Sequence, residues 1–149
     1  MKKNKNARGE ALPARRLLGI NLVRTFNQVY EQSQVFFAAY GLTSQQYNVL
    51  KILLDADMPM STSGILEKMI EKNAGVSRLV DRLVLKHLVK KKDSAADKRL
   101  IDVMLTTEGK TLVRTVTAHL EDVDDVYAAL NDKEVATLNR LLEKLRNDP

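Results

Sequence analysis

The sequence contains no cysteine and no tryptophan, and it has only three prolines and six glycines among its 149 residues. Without cysteine there can be no disulfide, no thiolate metal site and no cysteine nucleophile or redox switch. The two histidines, His87 and His119, are far apart in the chain and form no zinc-binding pattern. The shortage of proline and glycine leaves little material for a turn-rich β-protein. These absences favour a mainly helical protein without a metal site.

Long apolar runs are also missing. No stretch approaches the roughly 18 apolar residues that a membrane span requires, and residues 1–16 are polar and basic, unlike the apolar centre of a signal peptide. With 149 residues, of which 44% are hydrophobic and 29% charged, the chain can bury a core of its own. We therefore expect one compact domain in the cytoplasm, with no membrane partner.

Patterns typical of catalysis are absent as well. The sequence has no nucleophile–base pair, no glycine-rich phosphate loop and no metal-ligand spacing. An acidic cluster is spread around a predicted helix without a paired base, which indicates a solvated face; it comprises Glu121, Asp122, Asp124 and Asp125. We expect that the protein is not an enzyme and needs no cofactor.

The formal net charge of +5 is distributed unevenly. Residues 1–16 carry a net charge of +5, residues 17–66 of −1, residues 67–99 of +5 and residues 100–149 of −4. Positive potential is therefore concentrated in the N-terminal arm and the middle of the chain. This asymmetry predicts a middle segment that binds a polyanion and a C-terminal third that does not.

The N-terminal part of the sequence predicts a tail followed by two helices. Residues 1–11 have no apolar periodicity and are predicted to form a flexible basic tail. Apolar residues at helical spacing predict a long helix at 13–39, which Gly41 is suited to end. Thr43 is predicted to cap a second helix at 44–56.

The centre of the sequence predicts a helix-turn-helix. Residues 56–60 are interpreted as a break, and Ser61 or Thr62 as the start of a short third helix. Apolar spacing predicts a fourth helix at 74–87.

Beyond the fourth helix the period of the apolar residues changes to two. Residues 88–92 and 100–105 are predicted to be strands joined by a charged loop at 93–98. A β-hairpin directly after a helix forms the wing of a winged helix-turn-helix, so we expect residues 42–106 to be a DNA-binding lobe.

The C-terminal part predicts two more helices. A long helix is expected at about 107–130, and Asn131 with Glu134 resembles a capping box that opens the last helix. Together with residues 12–40, the helices of 107–149 carry more apolar surface than one short chain can cover. We therefore expect a dimerisation lobe from both chain ends, within a single domain at 12–149 that forms a two-fold homodimer.

Candidate DNA-binding residues lie on the fourth helix and at its start. Ser77, Arg78 and Arg82 form its polar face and can reach base edges or phosphates. The positive end of the helix dipole can favour a phosphate, and four residues lie near it: Lys72, Asn73, Ala74 and Gly75. Asp81 cannot favour phosphate and is expected to pair with Arg78, with Arg82 or with a cation of the wing.

The wing adds five positive charges, Lys90, Lys91, Lys92, Lys98 and Arg99. Because alternate residues of a strand face opposite ways, at least one of the three consecutive lysines is expected to face solvent and add only non-specific attraction. Among them Lys91 is taken as the DNA-binding candidate, with Lys98 and Arg99.

Five motifs in order resemble the multiple-antibiotic-resistance-regulator (MarR) family over about residues 15–147. They are Gly41-Leu42-Thr43 with Gln46-Tyr47-Asn48-Val49-Leu50, the run Val76-Ser77-Arg78-Leu79-Val80-Asp81-Arg82-Leu83, Leu88-Val89, Asp97-Lys98-Arg99 and Leu105-Thr106-Thr107-Glu108-Gly109. The resemblance implies a homodimeric repressor or activator of pseudo-palindromic DNA, often released by a small phenolic or other aromatic ligand. It also implies that Arg99 inserts into the minor groove while Asp97 fixes its orientation, and that Ser77 and Arg78 contact the major groove or its phosphates.

Two positions depart from the family pattern. Gly75 stands where relatives often have a polar residue, so one base or phosphate contact can be missing. His87 replaces the usual glycine after the recognition helix and would cost about 1 kcal/mol in a left-handed conformation.

The first hypothesis is therefore a sequence-specific transcriptional regulator, a repressor, that binds DNA as a homodimer. The resemblance also implies that a small aromatic effector would bind between the dimer helices and the DNA-binding lobe, near residues 15–30, 40–55 and 107–120. The alternative hypothesis is a helical protein-interaction or antirepressor module that uses the same fold without specific DNA binding.

Overall fold

A computed structural model describes residues 11–146 of the chain. The basic tail predicted at 1–11 lies outside the described residues except for Ala11. The chain is mainly helical, as predicted, and its elements follow in order: α1 (Ala14–Ala38), α2 (Ser44–Ala56), β1 (Met60–Ser61), α3 (Thr62–Lys68), α4 (Val76–Leu85), β2 (Val89–Asp93), β3 (Ile101–Leu105), α5 (Thr107–Ala118), α6 (Glu121–Asp124), a 3-10 turn (Asp125–Tyr127) and α7 (Asp132–Arg146).

The junction between α1 and α2 is built by local signals. Gly41 has a φ of +70°, which allows the Leu42 amide to donate back to the Phe37 carbonyl at 3.0 Å and stops α1. Thr43 then caps α2 in a capping box, because its hydroxyl accepts from the Gln46 amide while the Gln46 side chain accepts from the Thr43 amide, both at 3.1 Å. These bonds confirm the predicted start of the second helix.

The core lies where α2 packs between the helix-turn-helix and the sheet. Val49 and Leu50 of α2, Val80 and Leu83 of α4, and Val103 of β3 have no exposed surface. Such residues anchor the two helices and the sheet to one another, because the apolar face of each element is removed from water at the same place.

The sheet has three strands, one more than the sequence predicted. β3 lies in the middle and pairs antiparallel with β2 on one side and β1 on the other, so that the order is β1-β3-β2. Of the two residues of β1, Met60 was interpreted as part of a break at 56–60 and Ser61 as a possible start of the third helix. A strand of two residues is too short to show an alternating pattern, and it exists only because the edge of β3 offers it backbone partners.

The prediction of one continuous helix at 107–130 is wrong. α5 ends at Ala118, and the chain continues through α6 and the 3-10 turn. The apolar spacing runs on across the break, so periodicity could not reveal it. Side chains near the break compete for helix carbonyls: Thr117 Oγ1 donates to Val113 O at 2.6 Å, and His119 Nδ1 lies 2.8 Å from Thr115 O. Such bonds weaken and bend a helix.

The last helix begins as predicted. The Asn131 amide donates to Glu134 Oε2 at 2.9 Å, and the Glu134 amide donates to Asn131 Oδ1 at 3.1 Å. These two bonds are the reciprocal pair of a capping box, with asparagine in the capping position.

Large apolar side chains remain exposed on α1 and α7. Phe26 of α1 is 63% exposed, and α7 contains no buried residue at all. The exposed apolar side chains of these two helices are Leu18, Val23, Phe26, Tyr30, Val35, Val135, Leu138, Leu141 and Leu145. An apolar stripe of this length on a surface helix is typical of an assembly surface.

The recognition helix is α4, and it is shorter than the helix predicted at 74–87. Its N-cap is Gly75, and it ends at Leu85. His87, the last residue of the predicted helix, lies beyond the end of α4 and has a φ of +59°. The left-handed conformation that the family comparison suggested for this position is therefore present, and it is adopted by a residue with a side chain.

Replacing His87 by Gly is expected to raise the free energy of unfolding by about 1 kcal/mol, because a left-handed backbone disfavours any residue with a Cβ. Thermal unfolding at fixed protein concentration would show this as a rise of roughly 2–4 °C. Ala39→Gly is the control, because Ala39 also follows a helix but has a φ of −60°. That variant should lose stability, and an unchanged melting temperature for His87→Gly would contradict the assigned strain.

Within residues 11–146, no helix combines the length and the apolar character needed to cross a bilayer.

Candidate nucleic-acid interface

The recognition helix α4 has one buried and one exposed face. Four apolar residues, Val76, Leu79, Val80 and Leu83, are buried. The predicted polar residues Ser77, Arg78 and Arg82 are exposed on the opposite face, together with Asp81. Packing on the apolar side therefore holds the helix while these side chains are presented to solvent.

The N-terminus of α4 opens into a surface groove. Gly75 caps the helix without a side-chain hydrogen bond, so the amides of the first turn keep their capacity to bind an anion. The groove is lined on the α3 side by Thr62, Ser63 and Leu66 and on the α4 side by Asn73, Ala74, Gly75, Val76, Ser77 and Arg78. Three predicted site residues, Asn73, Ala74 and Gly75, are thus brought together with Ser77 and Arg78.

Lys72 lies in the turn between α3 and α4. Its ammonium donates to the Glu67 carbonyl at 2.6 Å and remains exposed. The same turn is attached to α2, because the Gln45 amide group donates to Glu71 and the Ile70 amide donates to Asn48 Oδ1 at 3.4 Å. The contacts of Gln45 and Asn48 were not predicted from the sequence. Their partners are more than 20 positions away, and no local pattern marks them.

The tip of the wing holds Asp97, Lys98 and Arg99 in the loop between β2 and β3. The Arg99 guanidinium donates through Nε and Nη2 to the two oxygens of Asp97, both at 3.1 Å, and the Arg99 amide donates to Asp97 Oδ1 at 3.0 Å. The Arg99 side chain is nevertheless 89% exposed. Asp97 thus orients a guanidinium that still faces solvent, and Lys98 beside it is exposed as well.

The contact with Arg99 depends on the ionisation of Asp97. Hydrogen bonds from the side chain and then from the amide of Arg99 lower the pKa of Asp97 below its usual value of 3.8. A lowered pKa favours the charged form in the folded state, so the contact is complete above the ordinary pKa and is lost as the pH falls through the lowered one. At neutral pH Asp97 is charged and the guanidinium is held.

The three lysines of β2 do not share one face. Val89 points into the core, and Lys91, two residues later, points to the same side, where its ammonium contacts the Asp81 carboxylate of α4. Lys90 and Lys92 point to the other side and are exposed. Of the pairings expected for Asp81, the one with a wing cation is therefore the one that forms.

No cluster of three or more His, Asp or Glu side chains in the described part of the chain could hold a metal ion. The chemistry of the interface therefore consists of guanidinium, ammonium, hydroxyl and amide donors on α4 and the wing. Donors of these kinds bind phosphates and the acceptor edges of bases.

No protein family model matches the chain. Among curated proteins, the HTH-type transcriptional regulator MgrA of Staphylococcus aureus is 31% identical over 125 residues, which cover 84% of this chain and 82% of MgrA.

Solved structures share the fold. A mutant of MarR from E. coli in complex with operator DNA superposes with a TM-score of 0.77 at 24% identity, covering 86% of this chain and 92% of that one. BpsR of Bordetella bronchiseptica, whose DNA binding is regulated by 6-hydroxynicotinic acid, has a TM-score of 0.76 at 25% identity, covering 86% of this chain and 91% of that one.

Proposed function

This chain belongs to the MarR family of helix-turn-helix transcriptional regulators, and from that premise we propose that it is a repressor that binds operator DNA as a homodimer. The observation that carries the proposal is the pairing of two elements. An amphipathic helix exposes Ser77, Arg78 and Arg82, and beside it a wing presents Arg99 in a fixed orientation. Regulators of this kind bind duplex DNA with a helix in one groove and a flanking element in the next.

In the major groove, α4 would read bases from its exposed face. Arg78 can donate two hydrogen bonds to a guanine edge, Ser77 can donate to a base or a phosphate, and Arg82 lies one turn further along the helix. The uncapped start of α4, with Lys72 and Asn73 nearby, would bind a phosphate and set the register of the helix on the duplex. The absence of a side chain at Gly75 leaves that phosphate to backbone amides.

In the minor groove, Arg99 would read groove width. Asp97 holds the guanidinium through two side-chain hydrogen bonds, which reduces the rotamer freedom that the side chain must lose on binding. A narrow minor groove in A·T-rich DNA has a strong negative potential and attracts arginine. Lys98 would bind the adjacent backbone.

Two copies of the chain would assemble through α1 and α7, whose apolar side chains are exposed in the single protomer. A two-fold dimer places two recognition helices on half-sites about one helical turn, or ~34 Å, apart. It would therefore recognise a pseudo-palindrome, since the symmetry of the site mirrors that of the protein.

A small aromatic ligand would control the spacing of the two helices. The regulation of BpsR by 6-hydroxynicotinic acid supports this part of the proposal. A surface crevice between the start of α2 and the turn that follows α3 offers an apolar lining that includes Phe37, Tyr47 and Met69. Acting on DNA in a bacterium, the protein would work in the cytoplasm. Since the relative MgrA is a transcriptional regulator, no enzymatic role is proposed.

Arg99→Ala is the test of this function, with an operator obtained by selecting bound fragments from genomic DNA. The substitution is expected to weaken specific binding by about 10- to 100-fold and to relax the A·T preference of the flanks, because the inserted guanidinium of each protomer is removed. Fluorescence anisotropy on the selected duplex and on a G·C-flanked copy would measure both effects. Asp97→Asn should cause a smaller loss, since the guanidinium remains but is no longer held by a carboxylate.

Arg114→Ala is the matched control, because it removes the same charge from an exposed position of α5, which is part of neither α4 nor the wing. It should bind as the unaltered protein does. Unchanged operator binding by a folded Arg99→Ala protein would exclude the role of the wing. A protein that selects no duplex at all would instead support the alternative of a protein-interaction or antirepressor module.

A further inference from the structure

The DNA-facing surface of α4 contains a negative charge that the proposed function does not use. Asp81 lies on the same face as Ser77, Arg78 and Arg82, and its side chain is 59% exposed. A carboxylate in this place is unfavourable next to phosphates, because the repulsion between two negative charges grows as the distance between them shrinks. Its presence on the binding face therefore requires a compensating group.

Lys91 of β2 is that group. Its ammonium contacts the Asp81 carboxylate, and its side chain is only 43% exposed. The register of the sheet pairs Lys91 with Val103, a fully buried residue of β3. Because the two opposite residues point to the same side of the sheet, the stem of Lys91 extends over the core toward α4.

The contact also joins two elements that must bind DNA together. Three ion pairs join residues that both lie in the described part of the chain, and of these Lys91–Asp81 connects α4 with the wing. The other two lie within α2 and within the wing loop.

We propose that Lys91 is a positioning residue, which neutralises Asp81 and holds the wing against the recognition helix instead of binding a phosphate itself. This inference rests on the proposed DNA-binding function. It assigns the phosphate contacts of β2 to Lys90 and Lys92, which point to the other side of the sheet. It also explains why a carboxylate is tolerated on the binding face.

A double-mutant cycle on operator affinity distinguishes positioning from phosphate binding. Lys91→Gln alone is expected to weaken specific binding about tenfold, because the charge of Asp81 is left uncompensated. In an Asp81→Asn background the same change should cost less than about threefold, since nothing remains to be compensated. The slope of log affinity against log salt should stay within about 0.3 of its original value, whereas loss of one phosphate contact from each protomer of the dimer lowers its magnitude by about 1.8, at about 0.9 per contact.

Two controls accompany the cycle. Lys51→Gln breaks a comparable exposed pair with Asp55 in α2 and should leave operator affinity unchanged within about twofold. Lys90→Gln removes the same charge from the other side of β2 and should weaken binding equally in both Asp81 backgrounds. All these variants are expected to fold, because exposed ion pairs contribute little to stability, and thermal unfolding verifies it.

The outcomes separate the two claims. Equal losses for Lys91→Gln in both backgrounds, with the salt slope reduced by about 1.8 for the dimer, would make Lys91 a direct phosphate ligand and overturn the inference while the DNA-binding function stands. Absence of any specific duplex for the unaltered protein would overturn the function, and the inference with it.

Discussion

A chain carrying both Leu138→Glu and Leu141→Glu is expected to be a monomer and to lose at least about a thousandfold of its affinity for a two-half-site operator. The two leucines are 44% and 48% exposed on α7 and, with Leu130, line an apolar surface groove. In a dimer the exposed half of each side chain would leave water, at a gain of about 0.7–1.5 kcal/mol for each leucine, which is half the value for full burial. Two carboxylates in the same place would reverse that gain, because burial of an unpaired charge is strongly unfavourable.

The loss of DNA affinity follows from the loss of the second half-site. A monomer can place only one recognition helix and one wing on the duplex, so its binding falls toward the non-specific level. Sedimentation velocity would measure the mass, and anisotropy on full and half operators would measure the affinity.

Arg140→Glu is the matched control for the double substitution. It also changes the charge by two units, but Arg140 lies on the face of α7 opposite the two leucines. It should remain dimeric and bind the operator. A double variant that stays dimeric and binds within tenfold of the unaltered protein would show that the chain assembles through another surface.

Gly109→Ala is expected to lower the free energy of unfolding by about 3 kcal/mol, the largest effect on stability that we predict for a single added methyl group. A Cβ at this position would lie 2.0 Å from the Leu88 carbonyl oxygen and 2.9 Å from its carbon. Backbone atoms cannot rotate away as a side chain can, so α5 or the start of the wing must shift.

Hydrogen bonds on both sides of this contact oppose such a shift. The Leu88 amide donates to the Leu83 carbonyl at 3.0 Å, and the Leu88 carbonyl accepts from the Thr106 amide at 3.1 Å. The Gly109 amide in turn donates to the Thr106 hydroxyl at 3.0 Å, which caps α5. Relief of the clash would strain or break at least one of these bonds.

Thermal unfolding at one protein concentration should show a fall of roughly 6–12 °C for Gly109→Ala. Gly75→Ala is the control, because a Cβ there would have nothing within 4 Å and its φ is −75°. It should change the melting temperature little. If the two variants melted alike, the close approach of α5 to Leu88 would not be the reason for a glycine at position 109.

Features with short-range signals could be predicted from the sequence. The capping residues Thr43 and Asn131 mark their helices because each bonds to an amide only three residues away. The change of apolar period from 3.6 to 2 after α4 marks the wing for the same reason, since each residue's facing depends only on its neighbours along the chain. The helix-turn-helix, the wing and the exposed face of Ser77, Arg78 and Arg82 follow from these signals.

Other features lacked a local signal. β1 exists because β3 offers it an edge, and the end of α5 at Ala118 reflects side-chain competition for carbonyls within an unbroken apolar pattern. Three consecutive lysines gave no indication of which one turns toward α4. The choice of Lys91 as a DNA-binding candidate remains a prediction that the double-mutant cycle tests.

By itself, the sequence determined the class of fold, the order of most elements and the positive charge of the central segment, because spacing, capping and charge are properties of neighbouring residues. Its lack of cysteine excluded thiol chemistry outright. Only the tertiary structure decided that Lys91 meets Asp81, that α2 holds the turn before α4, and that α5 leaves no space for a side chain at Gly109. Such contacts join residues far apart in the chain, and packing of the whole core sets the distance between them.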